Sequence, residues 1–176
     1  MVTSKSVVPS NSRPRGDGFT ELFLDEQLCF TLYATSLAMT KVYRPLLTPL
    51  GLTYPQYVVM LALWQHGEMT AGSLGEQVAL DSGTLVPLVR KLTTQGFVKR
   101  ERNPADDRSV LIALTAAGRK QVNGAKVVKD KIACATQFTA AESQTLMLSL
   151  KKLRAALTGS AATSSLPVVQ PITRKK

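Results

Sequence analysis

Cys29 and Cys134 are the side chains of this sequence best able to change covalent state, and their neighbours indicate which chemistry is open to them. A thiol attacks a peroxide as the thiolate, so a peroxide-sensing cysteine must be held charged, partly accessible and near hydrogen-bond donors. Cys29 has Tyr33 one helical turn further on, and Tyr43 and Tyr54 follow, so three phenols are available as donors. Tyr43 comes fourteen residues after Cys29, which is about 21 Å on a straight helix, too far to touch the cysteine of its own helix. Contact between them would need a second copy of the chain packed antiparallel to the first. Leu28, Phe30, Leu32 and Met39 share this stretch. An apolar wall of that kind favours an alkyl or fatty-acyl hydroperoxide over hydrogen peroxide, because the ligand's hydrocarbon is buried with it.

Each of these residues also has a plainer reading. A cysteine on an apolar helix stripe is usually a small core residue, and Cys134, within KIACATQF, could simply fill a helix face. Tyr43 and Tyr54 could be core aromatics with satisfied hydroxyls. His66 is the one histidine; beside two distant cysteines it makes no metal-ligand cluster and reads as a surface or helix-end residue. Gly72, Gly75 and Gly83 lack the lysine and the spacing of a phosphate loop. Neither a metal nor a cofactor is expected.

The elements that would position this chemistry centre on Thr70 to Gly118. Thr70 opens one short helix, and Asp81 or Ser82 can cap a second by accepting its orphan amide protons. Leu85, Leu88, Val89 and Leu92 recur at three- and four-residue steps and give that second helix one buried face, which Gly96 can end in the left-handed conformation. Phe97-Val98 and Val110 to Leu114 then flank the polar run Arg100 to Asp107, with a turn at Asn103-Pro104. This is a winged helix-turn-helix pattern, in which a helix lies in the DNA major groove and a basic hairpin reaches the neighbouring backbone. The DNA contacts expected are Ser82, Gly83, Thr84, Pro87, Arg90 and Lys91 from the helix, with Arg102 and Arg108 from the hairpin. Asp106 is expected to pair with Arg108 and stabilise the wing.

Charge separates in the same sense. Phe19 to Asp81 carries two basic and six acidic residues, whereas Ser82 to Thr158 carries fourteen basic and five acidic ones. Clustered Lys and Arg on the half with the reading head are what phosphate neutralisation needs. Outside the head, helices are expected over Glu21 to Arg44, ended by Pro45 and then Pro49-Leu50-Gly51, and from a Thr53-Tyr54-Pro55-Gln56 capping box through Trp64. A long fifth helix should run from Thr115 to about Phe138, and a sixth should open at Thr139-Ala140-Ala141-Glu142 and close near Leu157. The fold class expected is mainly α with a small β-hairpin: a winged helix-turn-helix over about 54–114, plus a helical dimerisation region over about 21–48 and 115–158. These would form one domain over 19–158. The Ser-, Pro- and Thr-rich ends, 1–18 and 159–176, are expected to be disordered tails. With no apolar run long enough for a signal peptide or a membrane span, a cytoplasmic protein with reduced thiols is expected, and no membrane partner.

The helix order, LDSGTLVPLVRKLTTQGFVKRERNPADDRSVLIALT and LCFTLYATSLAMTKVYRPLL together resemble the MarR family over roughly Glu21 to Leu157. The wing's Asp-x-Arg, Asp106 to Arg108, is similar to the general family; LCFTLY with LTYPQYVVMLALW is similar to its organic-hydroperoxide sensors of the OhrR type, and Cys29 with Cys134 to the two-cysteine members. The resemblance implies a homodimeric repressor on a palindromic operator, with an organic hydroperoxide as inducer. It also implies that Tyr43 and Tyr54 of the partner chain donate to Cys29, that Arg108 reaches the minor groove, and that oxidised Cys29 forms an intersubunit disulfide with Cys134. A MarR-type repressor answering a non-covalent phenolic or lipid-like ligand, and a thiol peroxidase, are the alternatives; the winged helix and the charge split argue for a regulator over an enzyme.

Overall fold

The computed structural model of the chain describes residues 23–104, 106 and 108–162. The N-terminal tail expected over 1–18 lies outside the described residues, as does 163–176 of the C-terminal one. The chain divides into two compact units, the first ending at Gly118 and the second beginning at Arg119.

In the first unit a 3-10 turn precedes helix α1, Leu28–Leu47, which runs through Pro45 instead of stopping before it. Proline removes one amide donor, but in a last turn this costs little: the amide and the hydroxyl of Thr48 both donate to the Arg44 carbonyl, closing the turn beyond the proline. Gly51, at a φ of 67°, then reverses the chain. Helix α2, Tyr54–His66, starts at the expected capping box: Gln56 reaches back with Oε1 to the Thr53 amide at 2.8 Å. The Gln56 amide group in turn donates to Gln95, and Gln95 donates to the Gly51 carbonyl at 2.7 Å, so the buried glutamine ties the start of α2 to Gln95, the residue that follows Thr94.

Helices α3, Ala71–Val78, and α4, Ser82–Thr94, form the helix-turn-helix. Thr70 caps α3 by accepting the Ser73 amide, and Asp81 caps α4 by accepting that of Thr84. Gly96 takes the left-handed conformation at φ 75°. Strands β2, Val98–Arg102, and β3, Val110–Leu114, pair antiparallel with Val98 opposite Leu114 and Arg102 opposite Val110. The hairpin gains a third strand that the sequence did not announce: β1, Met69–Thr70, pairs with β3 to give the order β1-β3-β2. Two residues show no period. Leu47, Met60, Leu63, Leu74, Leu85, Leu92 and Ile112 are the most deeply buried large side chains of this unit.

The long helix expected from Thr115 to Phe138 is two: α5, Ala116–Lys120, and α6, Val122–Thr136, meeting at Gln121. Before the break, the Trp64 indole N–H donates to the Gly118 carbonyl at 3.0 Å, an acceptor that a continuous helix would offer to Val122. In the second unit α6 buries Ala125, Val128 and Ile132, a single face. Helix α7, Ala140–Ala162, opens at the expected box, with the Thr139 amide donating to Glu142 at 2.8 Å and the Glu142 amide to the Thr139 hydroxyl at 3.2 Å. The Thr139 hydroxyl, which donates to the Glu142 carboxylate at 2.7 Å, and then the Thr139 amide hold that carboxyl below its ordinary range. The helix passes the expected close at Leu157, so Gly159 to Ala162 are helical and not part of a tail.

Candidate thiol site and nucleic-acid interface

Cys29 sits in the first turn of α1 and is exposed, with Tyr33 one turn on and also exposed, at 62%. Of the twenty residues of α1 only Leu47 is buried; Leu28, Leu37 and Val42 present apolar surface to the outside. Tyr43 lies on the same unbroken helix, so the rise per residue keeps it about 21 Å from Cys29 within one chain.

Tyr43 and Tyr54, named from the sequence as a pair of donors, do come together: their rings lie 4.8 Å apart between centroids, tilted by 48°. Sequence reasoning missed the third member, Tyr57, which is 5.8 Å from Tyr43 and only 3% exposed, and a fourth ring, Trp64, 6.3 Å from Tyr57 and edge-on to it. The signal was present, since Tyr54, Tyr57 and Trp64 follow steps of three and seven along α2 and therefore share a face. Burial first, then the neighbouring phenols Tyr54 and Tyr57, push Tyr43 up to about 12. Burial and Tyr54 likewise raise Tyr57. Phenols so raised stay protonated at neutral pH and act as donors, the state in which a phenol can stabilise a thiolate.

Cys134 lies in the last turn of α6, exposed, on the side away from Ala125, Val128 and Ile132. It belongs to the second unit and Cys29 to the first. Helix α7 has no buried residue among its described side chains, and Leu146, Met147, Leu148 and Leu157 are exposed along it. Among the described residues no group of three His, Cys, Asp or Glu side chains could hold a metal ion, and His66 is exposed at the end of α2.

The recognition helix divides as its sequence indicates. Leu85, Val89 and Leu92 are buried and Leu88 is half-buried, whereas Ser82, Gly83, Thr84, Pro87, Arg90 and Lys91 are exposed. Asp81 holds Thr84 at two points, Oδ1 accepting its amide and Oδ2 its hydroxyl, both at 2.9 Å. These bonds, the hydroxyl's first, keep the Asp81 carboxyl below its ordinary range. They also commit the Thr84 proton, leaving its oxygen as an acceptor for a base amino group. Val86, exposed at 51%, interrupts the polar face and offers a contact of the kind a thymine methyl accepts; sequence reasoning passed it over because it is apolar.

In the wing, Arg100, Arg102 and Arg108 are exposed, and Lys99 is engaged by Glu101 at 2.6 Å. Asp106 stabilises the tip by accepting the Arg108 amide at 3.0 Å, while Asn103 donates to the Ser109 hydroxyl at 2.8 Å. The Asp106–Arg108 pairing therefore runs through the backbone amide, and the arginine is held by its main chain with its side chain outward.

A three-stranded wing beside a capped, half-exposed recognition helix defines a DNA-binding transcriptional regulator. A family model described as transcriptional regulator SarA/Rot matches residues 41–125. The organic hydroperoxide resistance transcriptional regulator of Bacillus subtilis (strain 168) is 51% identical over 100 residues, 57% of this chain and 68% of that protein. The HTH-type transcriptional regulator TtmR of Methylorubrum extorquens (strain PA1) is 38% identical over 144 residues, 82% of this chain and 74% of the relative. Among solved structures, that of reduced AbfR bound to DNA superposes with a TM-score of 0.66 at 32% identity, covering 78% of this chain and 94% of the other. That of a mutant MarR from E. coli complexed with operator DNA gives 0.68 at 26%, covering 78% and 99%. The chain belongs to the MarR family of transcriptional regulators and is of the OhrR type. Its fold and family are those of regulators and not of enzymes. Among the described residues no single helix is long and apolar enough to cross a membrane.

Proposed function

We propose that the chain is a homodimeric, cytoplasmic repressor that leaves a palindromic operator when an organic hydroperoxide oxidises Cys29. The observation that carries this reading is the disposition of Cys29 and the Tyr43–Tyr54 pair. The thiol is exposed, the two phenol rings are packed together, burial raises Tyr43, and a straight helix keeps Tyr43 apart from the thiol within one chain. An antiparallel partner brings the two ends of α1 together and covers the apolar residues that α1 and α7 leave exposed.

In that dimer Tyr43 and Tyr54 of the partner donate to the Cys29 thiolate, with Tyr33 adding a donor from the cysteine's own helix. The thiolate attacks the terminal oxygen of the hydroperoxide, the O–O bond breaks, and the alkoxide leaves as the alcohol after taking a proton, so the sulfur becomes a sulfenic acid. The Cys134 thiolate of the partner then attacks that sulfur, expelling hydroxide, which leaves as water, and forming an intersubunit disulfide. Two equivalents of cellular thiol reverse the bond. The tie between the start of α1 and the end of α6 moves the two reading heads, so their recognition helices no longer match the half-sites. On DNA, Ser82, Gly83, Thr84, Pro87, Arg90 and Lys91 read the major groove, and Arg102 and Arg108 hold the flanking backbone and minor groove.

The relatives support this reading by their nature: one regulates organic hydroperoxide resistance, and AbfR has been solved reduced on DNA, overoxidised on DNA and as a disulfide. Stoichiometric cumene hydroperoxide should convert the protein to a covalent dimer on a non-reducing gel, release it from operator DNA, and do neither to Cys29→Ser. Cys134→Ser should form a sulfenate without cross-linking. A disulfide within one chain would refute the intersubunit step, and release that is indifferent to Cys29→Ser would refute the sensor.

A further inference from the structure

We infer that Trp64 is a positioning residue through which the tyrosine pair sets the junction between the reading head and the helices that follow it; the inference rests on the redox reading above. One helix spans both ends of this link. Tyr54 is the first residue of α2, and Trp64 lies in its last turn. Between them the rings form a continuous row from Tyr54 and Tyr43 to Tyr57 and then edge-on to Trp64, at 4.8, 5.8 and 6.3 Å. At the far end the Trp64 indole N–H donates to the Gly118 carbonyl at 3.0 Å.

Gly118 is not free to follow a small movement. Its amide donates to the Thr115 hydroxyl at 3.0 Å, that hydroxyl donates to the Gly96 carbonyl at 2.6 Å, and the Thr115 amide donates to the Phe97 carbonyl at 3.0 Å. A Cβ at Gly118 would overlap the Phe97 carbonyl oxygen. The junction is thus locked to the end of the recognition helix and the start of β2, and the indole is the side-chain tie from α2 to it. Close-packed rings shift between discrete arrangements more readily than they deform, so a rearrangement at Tyr43 and Tyr54 either carries Gly118 along or breaks the indole bond. Oxidation supplies the rearrangement, because a sulfenic acid or disulfide no longer offers the phenols an anionic acceptor.

Trp64 is the only tryptophan in the chain, so the unaltered protein reports on the link through one indole N–H resonance. Stoichiometric cumene hydroperoxide should move that resonance, a thiol reductant should restore it, and Cys29→Ser should leave it in place. A resonance that stays still while the operator is released overturns the inference. Trp64→Phe keeps a ring against Tyr57 and removes the N–H. Reduced, it should bind operator within about threefold of wild type and oxidise at the wild-type rate, yet the ratio of reduced to oxidised operator affinity should fall by about tenfold or more. An unchanged ratio in Trp64→Phe also overturns the inference. Should wild type itself keep its operator after oxidation, it is the redox reading that has failed, and this inference falls with it.

Discussion

Tyr43 and Tyr54 lie ring to ring, 4.8 Å between centroids, although one closes helix α1 and the other opens helix α2. The reversal between them is made by the Thr48 bonds to Arg44, the left-handed Gly51 and the Thr53–Gln56 capping box. Their separation in sequence is bridged by turn chemistry, and the result is two phenol rings packed side by side.

Replacing both by phenylalanine should leave the fold intact and slow the oxidation of Cys29. A hydrogen bond to a charged group contributes about 1.5–3 kcal/mol, so losing even one such donor should disfavour the reactive thiolate by an energy of that order. At neutral pH sulfenate trapping should then slow by about tenfold or more. Equal trapping rates would reduce the pair to packing.

The same tyrosines should make stability sensitive to alkali. Tyr43 is raised to about 12 from 10.0, so the folded state holds its proton more tightly than the unfolded chain does. Its contribution is fully present below pH 10.0 and is lost as pH rises towards about 12. Ultraviolet difference titration should show a phenol ionising well above pH 10.0, and the unfolding midpoint should fall between there and about 12. Titration of all four tyrosines as one group near 10 would contradict the raised value.

On DNA the two arginines should behave differently. Arg90→Ala, on the exposed face of α4 that we propose reads the major groove, should cost about 1–3 kcal/mol on the best operator and relax discrimination at one base position. Arg108→Ala, on the wing, should weaken all sequences more evenly and lower the slope of log affinity against log salt by about one where it contacts phosphate. Gel shifts over a salt series decide this, and unchanged affinity in both would displace the reading head.

Gly118→Ala should destabilise the first unit by about 1–3 kcal/mol or more, because the new methyl meets a backbone carbonyl that cannot swing aside as a side chain would. Thr70→Ala, which removes only the cap of α3, should cost about 1 kcal/mol. Chemical denaturation of the two variants should rank them in that order, and the reverse order would show that the junction at Gly118 yields.

Much of the head was legible because its signals are local. Thr70 and Asp81 as caps, Gly96 in the left-handed conformation, the buried side of α4 and the two wing strands each depend on residues within a few positions of one another. The cysteine of the first helix and the tyrosines proposed to serve it could likewise be named by residue type and spacing. Tertiary structure decided what depends on distant partners. Pro45 stays inside α1 because Thr48 closes the turn, and the fifth helix breaks at Gln121 beside a carbonyl engaged by Trp64 from far away in sequence. Strand β1 exists only because β3 lies beside it. Tyr57 joins Tyr43 and Tyr54 in one cluster because α2 folds back against the end of α1, and the resulting burial, which no single segment contains, is the first cause that raises Tyr43 and Tyr57.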